Sequence, residues 1–514
     1  MSASSPLRLR PVRALIARLL GISLALSLPL TASAADGTFN FQGTGGTPTT
    51  PASGNWGAAA SWEDAEVPLS SPSTFLEFGG SGTGSYTATN NLTGDAGSSF
   101  VVGSIIFNSS STGLLSLAGT PIAIDGSNAF IAQLGTGSVA VSNAIELVTY
   151  TQVEVASTGT LTFSGALSGD GALGKTGTGT LTLSGSSANE LALLEVQAGT
   201  VELNQGGGAS IGSFDIFDGA TVKLQATGQI SEFAGGRLNG TLDLNGYNVT
   251  LGSLLDDTAF DPDAPVTASL KLGSAQLTID GGAFFGGVIS GAGSLRIEAD
   301  SFMVVTGANT YAGGTTIGGT IFAPGELMVS NTSGSGTGTG SITVTRFGIL
   351  SGAGTIAPTG SNTVTVNGTL YPGDFDNDQL TFGTPGDTTT VTLGSNSLLL
   401  IEVCSCNEVN SIKIWGNLNI LANATLSFDA GTLDGTYVLA TYSSITGGSF
   451  AEVLFNGDTV SNPTAFGAFG GTHSLVYGAT GLTIAPSAVP EPSTYAALAG
   501  IAVLGLAVYR RRRA

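Results

Sequence analysis

Short runs in which apolar and polar residues alternate recur through the middle of the chain. Gly159-Thr-Leu-Thr-Phe163, Gly179-Thr-Leu-Thr-Leu183, Gly199-Thr-Val-Glu-Leu203, Ala220-Thr-Val-Lys-Leu224 and Gly240-Thr-Leu-Asp-Leu244 share one pattern. Alternation of this kind predicts strands, with Val or Leu and the final Leu or Phe on one face and Thr and a variable residue on the other. The unit returns every roughly twenty residues, the length of one coil of a β-solenoid. Stacked coils would join their inward faces into one core, with Gly or Asn at corners supplying positive φ. No amphipathic helix is expected between the two termini.

Composition agrees with this reading. Gly occurs 78 times in 514 residues, only 10% of residues are charged, and 41% are hydrophobic. A disordered Gly/Ser chain would lack the apolar material for a core, whereas this chain has it. Residues 101–400 are therefore expected to form the solenoid. Residues 36–100, with Trp56 and Trp62, are expected as an N-terminal β cap. Residues 401–486, with Trp415, Tyr437, Tyr442 and Phe450, are expected as a C-terminal β-rich region or cap.

Charge narrows the partners. Arg8, Arg10, Arg13, Arg18 and Arg510 to Arg513 hold eight of the 15 basic residues. The body between Asp36 and Val489 keeps seven against 35 acids, a net of −28. Such a surface repels nucleic acid and anionic lipid. Cys404 and Cys406 are the only cysteines, too few for a disulfide framework; free thiols, a strained local bond and intermolecular pairing all stay open.

The ends read as export signals. Residues 1–35 have a signal peptide's form: arginines from Arg8 to Arg18, the apolar run Leu19 to Leu30, and Ala32-Ser33-Ala34 for cleavage. Residues 487–514 form a tail. Val489-Pro490-Glu491-Pro492-Ser493 precedes an apolar stretch from Tyr495 to Tyr509, and Arg510, Arg511, Arg512 and Arg513 follow. A short transmembrane helix with a positive end would keep its arginines in the cytoplasm. The motif, helix and arginine cluster resemble the PEP-CTERM sorting signal of Gram-negative bacteria. The resemblance implies that a membrane exosortase recognises Pro490, Glu491 and Pro492. The enzyme would end a transient inner-membrane stage and release the chain to the cell surface or extracellular matrix.

The body carries a second resemblance. Ser164 to Gly185, Thr306-Gly-Ala-Asn-Thr-Tyr-Ala-Gly-Gly-Thr-Thr-Ile317, and Gly352-Ala-Gly-Thr-Ile356 followed by Gly368-Thr-Leu-Tyr-Pro-Gly373 look like the autotransporter-associated β-strand repeat. This implies an all-β, right-handed parallel β-helix displayed outside the cell. The chain departs from that family in ending on a sorting tail where an autotransporter has its outer-membrane barrel.

Several motifs suggest chemistry. Gly169-Asp-Gly-Ala-Leu-Gly174-Lys175-Thr176 spells a phosphate-loop pattern, but the residues that follow predict a strand where that loop needs a helix. Gly208-Ala-Ser210-Ile-Gly212 spells a nucleophile elbow, yet His473 is the only histidine available to it. One His and two Cys exclude the usual zinc sites. Among carboxylates, Asp256, Asp257, Asp261 and Asp263 cluster in a loop. Asp374, Asp376 and Asp378 open like a calcium loop, although Gln379 and Pro385 break the EF-hand form. No catalytic residue and no cofactor is expected, Ca²⁺ at Asp374, Asp376 and Asp378 being the one candidate.

The function expected is that of a non-catalytic structural or adhesive protein. Its partners would be an exosortase-type enzyme and an extracellular polysaccharide or surface protein. A polysaccharide-acting hydrolase or lyase, and a calcium-dependent matrix-binding module, are the alternatives. A clustered carboxylate pair facing a groove beside Arg237, Arg296 or Lys271 would favour the enzyme, and a uniform Thr/Ser/Asn face the scaffold.

Overall fold

A computed structural model describes residues 37–487 except 157, 262, 374–378, 404–408, 432 and 466. The expected signal peptide, the tail with Pro490, Glu491, Pro492 and Arg510 to Arg513, and Asp374, Asp376, Asp378, Cys404 and Cys406 lie outside the described residues.

The described chain is a parallel β-solenoid whose coils have three faces. Face 1 begins with Thr38–Phe41, which pairs in parallel with Phe75–Gly80, then Ser104–Ser109 and Phe130–Gln133. Face 2 stacks Leu114–Gly119, Ser138–Val141, Thr160–Phe163, Thr180–Gly185 and Thr200–Gln205. Face 3 stacks Phe100–Val102, Ile122–Ile124 and Ile145–Leu147. Parallel stacking on face 1 continues to Glu452–Phe455.

The repeat units found in the sequence fall into register. Thr160, Thr180, Thr200, Thr221 and Thr241 pair rung to rung on face 2, so neighbouring coils there are 20 or 21 residues apart. The next rung, Ser269, comes 28 residues after Thr241, because residues 256–268 leave the coil as a loop. One position along, Leu161, Leu181, Val201, Val222, Leu242, Leu270 and Ile289 point inward and are buried. A period of two places this column inside and the Thr column outside.

Corners require residues without side chains where coils touch. Gly185 has φ +118, and a Cβ there would lie 2.1 Å from the Ser164 carbonyl oxygen of the preceding coil. Buried amides knit other corners. Asn189 Oδ1 accepts from Leu167 N (2.8 Å) and Gln205 Nε2 (2.7 Å), and Gln229 Oε1 accepts from Gln205 N (2.9 Å).

Both ends of the stack are covered. The first strand of face 1 is met by an antiparallel segment, with Gln42 N donating to Ser61 O and Glu63 N to Asn40 O. Trp56 and Trp62 are buried there among Phe41, Phe78 and Phe100. At the other end Tyr437–Gly447 pairs antiparallel with Gly481–Pro486, which pairs in turn with His473–Tyr477. Sheet edges therefore meet protein rather than another chain's strand. Among the described residues no helix is long and apolar enough to cross a membrane.

Candidate functional site

Two sequence motifs resolve into strand structure. Leu173–Thr176 is a strand of face 1, so Lys175 stands mid-strand and not at a helix N-terminus. Its side chain is buried in the inward column between Val153 and Val196. Its Nζ donates to the carbonyls of Thr176 (2.7 Å), Gly177 (2.7 Å) and Ala198 (3.2 Å). Burial pulls this amine down to about 8, against an opposing pull from Glu154. The nucleophile-elbow pattern likewise lies in the strand Ala209–Ile216, and His473 is buried in the end cap with Nε2 on Gly435 O (2.8 Å).

The four loop acids separate. Asp256 is buried: its Oδ2 accepts from Gly286 N (2.7 Å) and Gly287 N (2.9 Å), and its Oδ1 from Thr258 N and Thr258 Oγ1. It ties its loop to the next coil. Asp261 Oδ1 accepts from Asp263 N (3.1 Å), a local turn. Among the described residues no group of three or more His, Cys, Asp or Glu could hold a metal ion.

Asp257 joins a cluster that local sequence did not reveal. On face 1, Gly174, Glu195, Asp215, Arg237 and Leu255 pair on successive coils and point outward. Tyr150 lies across Gly174, where a Cβ would meet its hydroxyl at 1.9 Å, and that hydroxyl reaches Glu195 Oε1 at 3.4 Å. Arg237 Nη2 holds Asp257 Oδ1 at 2.5 Å, and Asn239 Nδ2 donates to the same oxygen at 3.1 Å. Asp215 stands on the other side of the guanidinium, 3.9 Å from Nη1. Its Oδ1 is buried without a hydrogen-bond partner. Burial is the main cause that pushes the Asp215 carboxyl up to about 6; Arg237 opposes this, and Glu195 and Asp257 add to it. A carboxyl whose proton affinity is raised toward neutrality in this way is suited to proton transfer. The signal in the sequence is the aligned centre of Leu194-Glu-Val196, Phe214-Asp-Ile216 and Gly236-Arg-Leu238, visible only once the coil register is known.

The other body cations are engaged differently. Glu202, Lys223, Asp243 and Lys271 follow one another in register on face 2, alternating in sign. Arg296 pairs with Glu298, just past the end of its own strand. Arg346 lies 5.1 Å from the Phe347 ring centroid and Lys413 4.3 Å from that of Trp415. Face 1 thus holds a carboxylate pair beside Arg237, while face 2 carries five successive Thr rungs, Thr160 to Thr241, beside a column that turns charged.

Residues 488–513 match the PEP-CTERM protein-sorting motif. A stretch of 113 residues is 34% identical to part of the Adhesin BmaC autotransporter of Brucella suis biovar 1 (strain 1330). That likeness covers 21% of this chain and 3% of the adhesin, so the chain spans a small part of that protein's length. The sorting motif is the recognition signal for exosortase processing and implies export to the cell envelope. The motif, the solenoid and the partial adhesin likeness bear out the two resemblances read from the sequence.

Proposed function

We propose that the chain is a non-catalytic structural and adhesive protein of the cell surface or extracellular polysaccharide matrix. Exosortase acting at Pro490, Glu491 and Pro492 would end a transient inner-membrane stage. The observation that carries this reading is the in-register Thr ladder over a continuous core, which repeats one contact on five successive coils from Thr160 to Thr241. The distant relative is named an adhesin, which agrees with the reading over the short stretch they share.

The test combines the exported protein with extracellular polysaccharide of the producing organism, with and without Ca²⁺. Retention on the polymer without new reducing ends is expected; a protein that shows no retention and makes no new ends overturns the reading. Alanine at Pro490, Glu491 and Pro492 is expected to leave the chain in the membrane fraction. No cofactor belongs to the proposal. A melting temperature that rises with Ca²⁺, and no longer does so once Asp374, Asp376 and Asp378 are replaced, would favour a calcium-dependent matrix-binding module instead.

A second reading rests on Asp215 and Asp257 on either side of Arg237. Two neighbouring carboxyls, one of them with its proton affinity raised by burial, are the equipment of glycoside hydrolysis. New reducing ends that disappear in Asp215→Asn would establish that activity and displace the non-catalytic reading.

A further inference from the structure

We infer that the part of face 1 running from Glu195 to Met328 is a docking strip for a neutral, extended polysaccharide chain. This deepens the matrix reading above and rests on it, by naming where the polymer sits and of what charge it is.

The strip changes character along one column. Glu195, Asp215 and Arg237 are followed in register by Leu255, Phe284, Val304 and Met328, of which Val304 is buried and the other three half-buried. Seven rungs at strand spacing extend about 29 Å. Beside the apolar rungs, Phe302 stands 41% exposed on the same face. The solenoid makes long excursions at both borders of this stretch. Residues 256–268 leave between faces 1 and 2, and a hairpin of Gly319–Thr320 with Ala323–Pro324 leaves between faces 3 and 1. Each presents an aromatic ring to solvent, Phe260 at 55% exposure and Phe322 at 93%. Neither ring serves the core, and both flank a stretch of face 1 where outward rungs turn from charged to apolar.

Charge selects the occupant. The body carries −28, and the polar end of the strip has one guanidinium for three carboxylates, so a uronate or phosphate polymer would be repelled. Sugar rings offer C–H faces to Phe and Leu and hydroxyls to carboxylates, the mixture that mostly apolar sites with a few polar groups accept. The Asp215 carboxyl, its side chain 24% exposed beside Arg237, offers a sugar hydroxyl an acceptor.

Affinity electrophoresis of the exported full chain in gels containing laminarin, dextran or galactomannan tests this, with alginate as the anionic probe. At least one neutral glucan or mannan is expected to retard the protein, and alginate is not. The double variant Phe302→Ala/Phe322→Ala is expected to weaken that retardation by at least about tenfold, the scale of two lost ring contacts. Leu69→Ala, an exposed residue near the other end of the stack, is expected to behave as wild type. No retardation by any neutral polymer, equal retardation by alginate, or an unaffected double variant overturns the strip. So does sedimentation showing a dimer that the double variant dissolves, since a second copy would then be the occupant. Retention on native matrix polymer separates the two levels. If wild type and double variant are retained equally, the strip fails and the matrix reading stands; if wild type is not retained, the matrix reading fails.

Discussion

Lys175 gives a sharp test of the interior because its amine sits in a column of valines with only carbonyl oxygens around it. Burial lowers its pKa from 10.5 to about 8, so the charged form is the one the folded state disfavours. In the unfolded chain the amine keeps its ordinary value and holds more protons between those two limits. Stability contributed by this group therefore rises with pH across that window. From pH 7 to pH 10 the linkage amounts to about 2.5 kcal/mol in favour of the wild type over a non-titrating residue. The assay is urea unfolding of wild type and Lys175→Met at pH 7, 8, 9 and 10. Emission from Trp56 and Trp62 reports on the coils a short way before Lys175, and Trp415→Phe in both proteins removes the distant signal. Buried phenols such as Tyr86 and Tyr311, whose affinities burial raises, destabilise both proteins alike at high pH and cancel in the difference. Met leaves the Thr176, Gly177 and Ala198 carbonyls without their donor, which shifts the variant by a constant and not by a slope. Parallel pH dependence in the two proteins would refute a buried, titrating amine.

Two further predictions follow from the stacked register. Lys223→Glu would place three like charges, at residues 202, 223 and 243, on consecutive rungs of face 2. A loss of about 1–2 kcal/mol is expected in low salt, largely recovered at 1 M NaCl, and a salt-independent loss would mean that packing, not charge, is at fault. Asp215 has its folded pKa raised above the unfolded 3.8, so its contribution is present at low pH and is lost as pH rises toward about 6. Relative to Asp215→Asn, the wild type is expected to lose about 2 kcal/mol between pH 4 and pH 7 in urea titrations; equal curves would mean an Asp215 carboxyl free in solvent.

The coil body was legible because its signal is local. Gly159-Thr-Leu-Thr-Phe163 already contains its corner, its outward Thr and its two inward residues, and the next unit repeats them. The phosphate-loop pattern could be set aside for the same reason, since the strand following Lys175 is written beside it. The cluster around Arg237 was not legible. Its members come from three coils and a loop, and a register slip of one residue would turn Asp215 inward. The loop acids show the limit well. Asp256 and Asp257 are adjacent, yet one is buried on amides thirty residues later and the other reaches back twenty residues to Arg237. Nothing in a run of two aspartates separates those fates. Parallel stacking also reaches back to Thr38, through a stretch whose rings and irregular spacing hide the repeat.

The composition that first suggests a surface protein is largely a demand of the fold. In a parallel in-register stack, an outward column sets equivalent residues one strand spacing apart, about 4.8 Å. A column of one charge at that spacing repels itself, whereas a column of Thr does not. Low charge and abundant Thr are thus what any such solenoid needs, whatever it binds. Where charges enter the columns here, they alternate in sign on face 2 or gather about a single guanidinium on face 1. Specific recognition has to be sought where the ladder is interrupted. On this chain the interruptions converge on one stretch: the Asp215–Arg237–Asp257 cluster, the loop 256–268, the apolar rungs from Leu255 to Met328 and the hairpin bearing Phe322. None of these is required for stacking, and Phe322 in particular adds nothing to the core. A face that could have carried small polar rungs instead sets an ion cluster and apolar rungs on face 1, and that is the physical reason to look there for the partner.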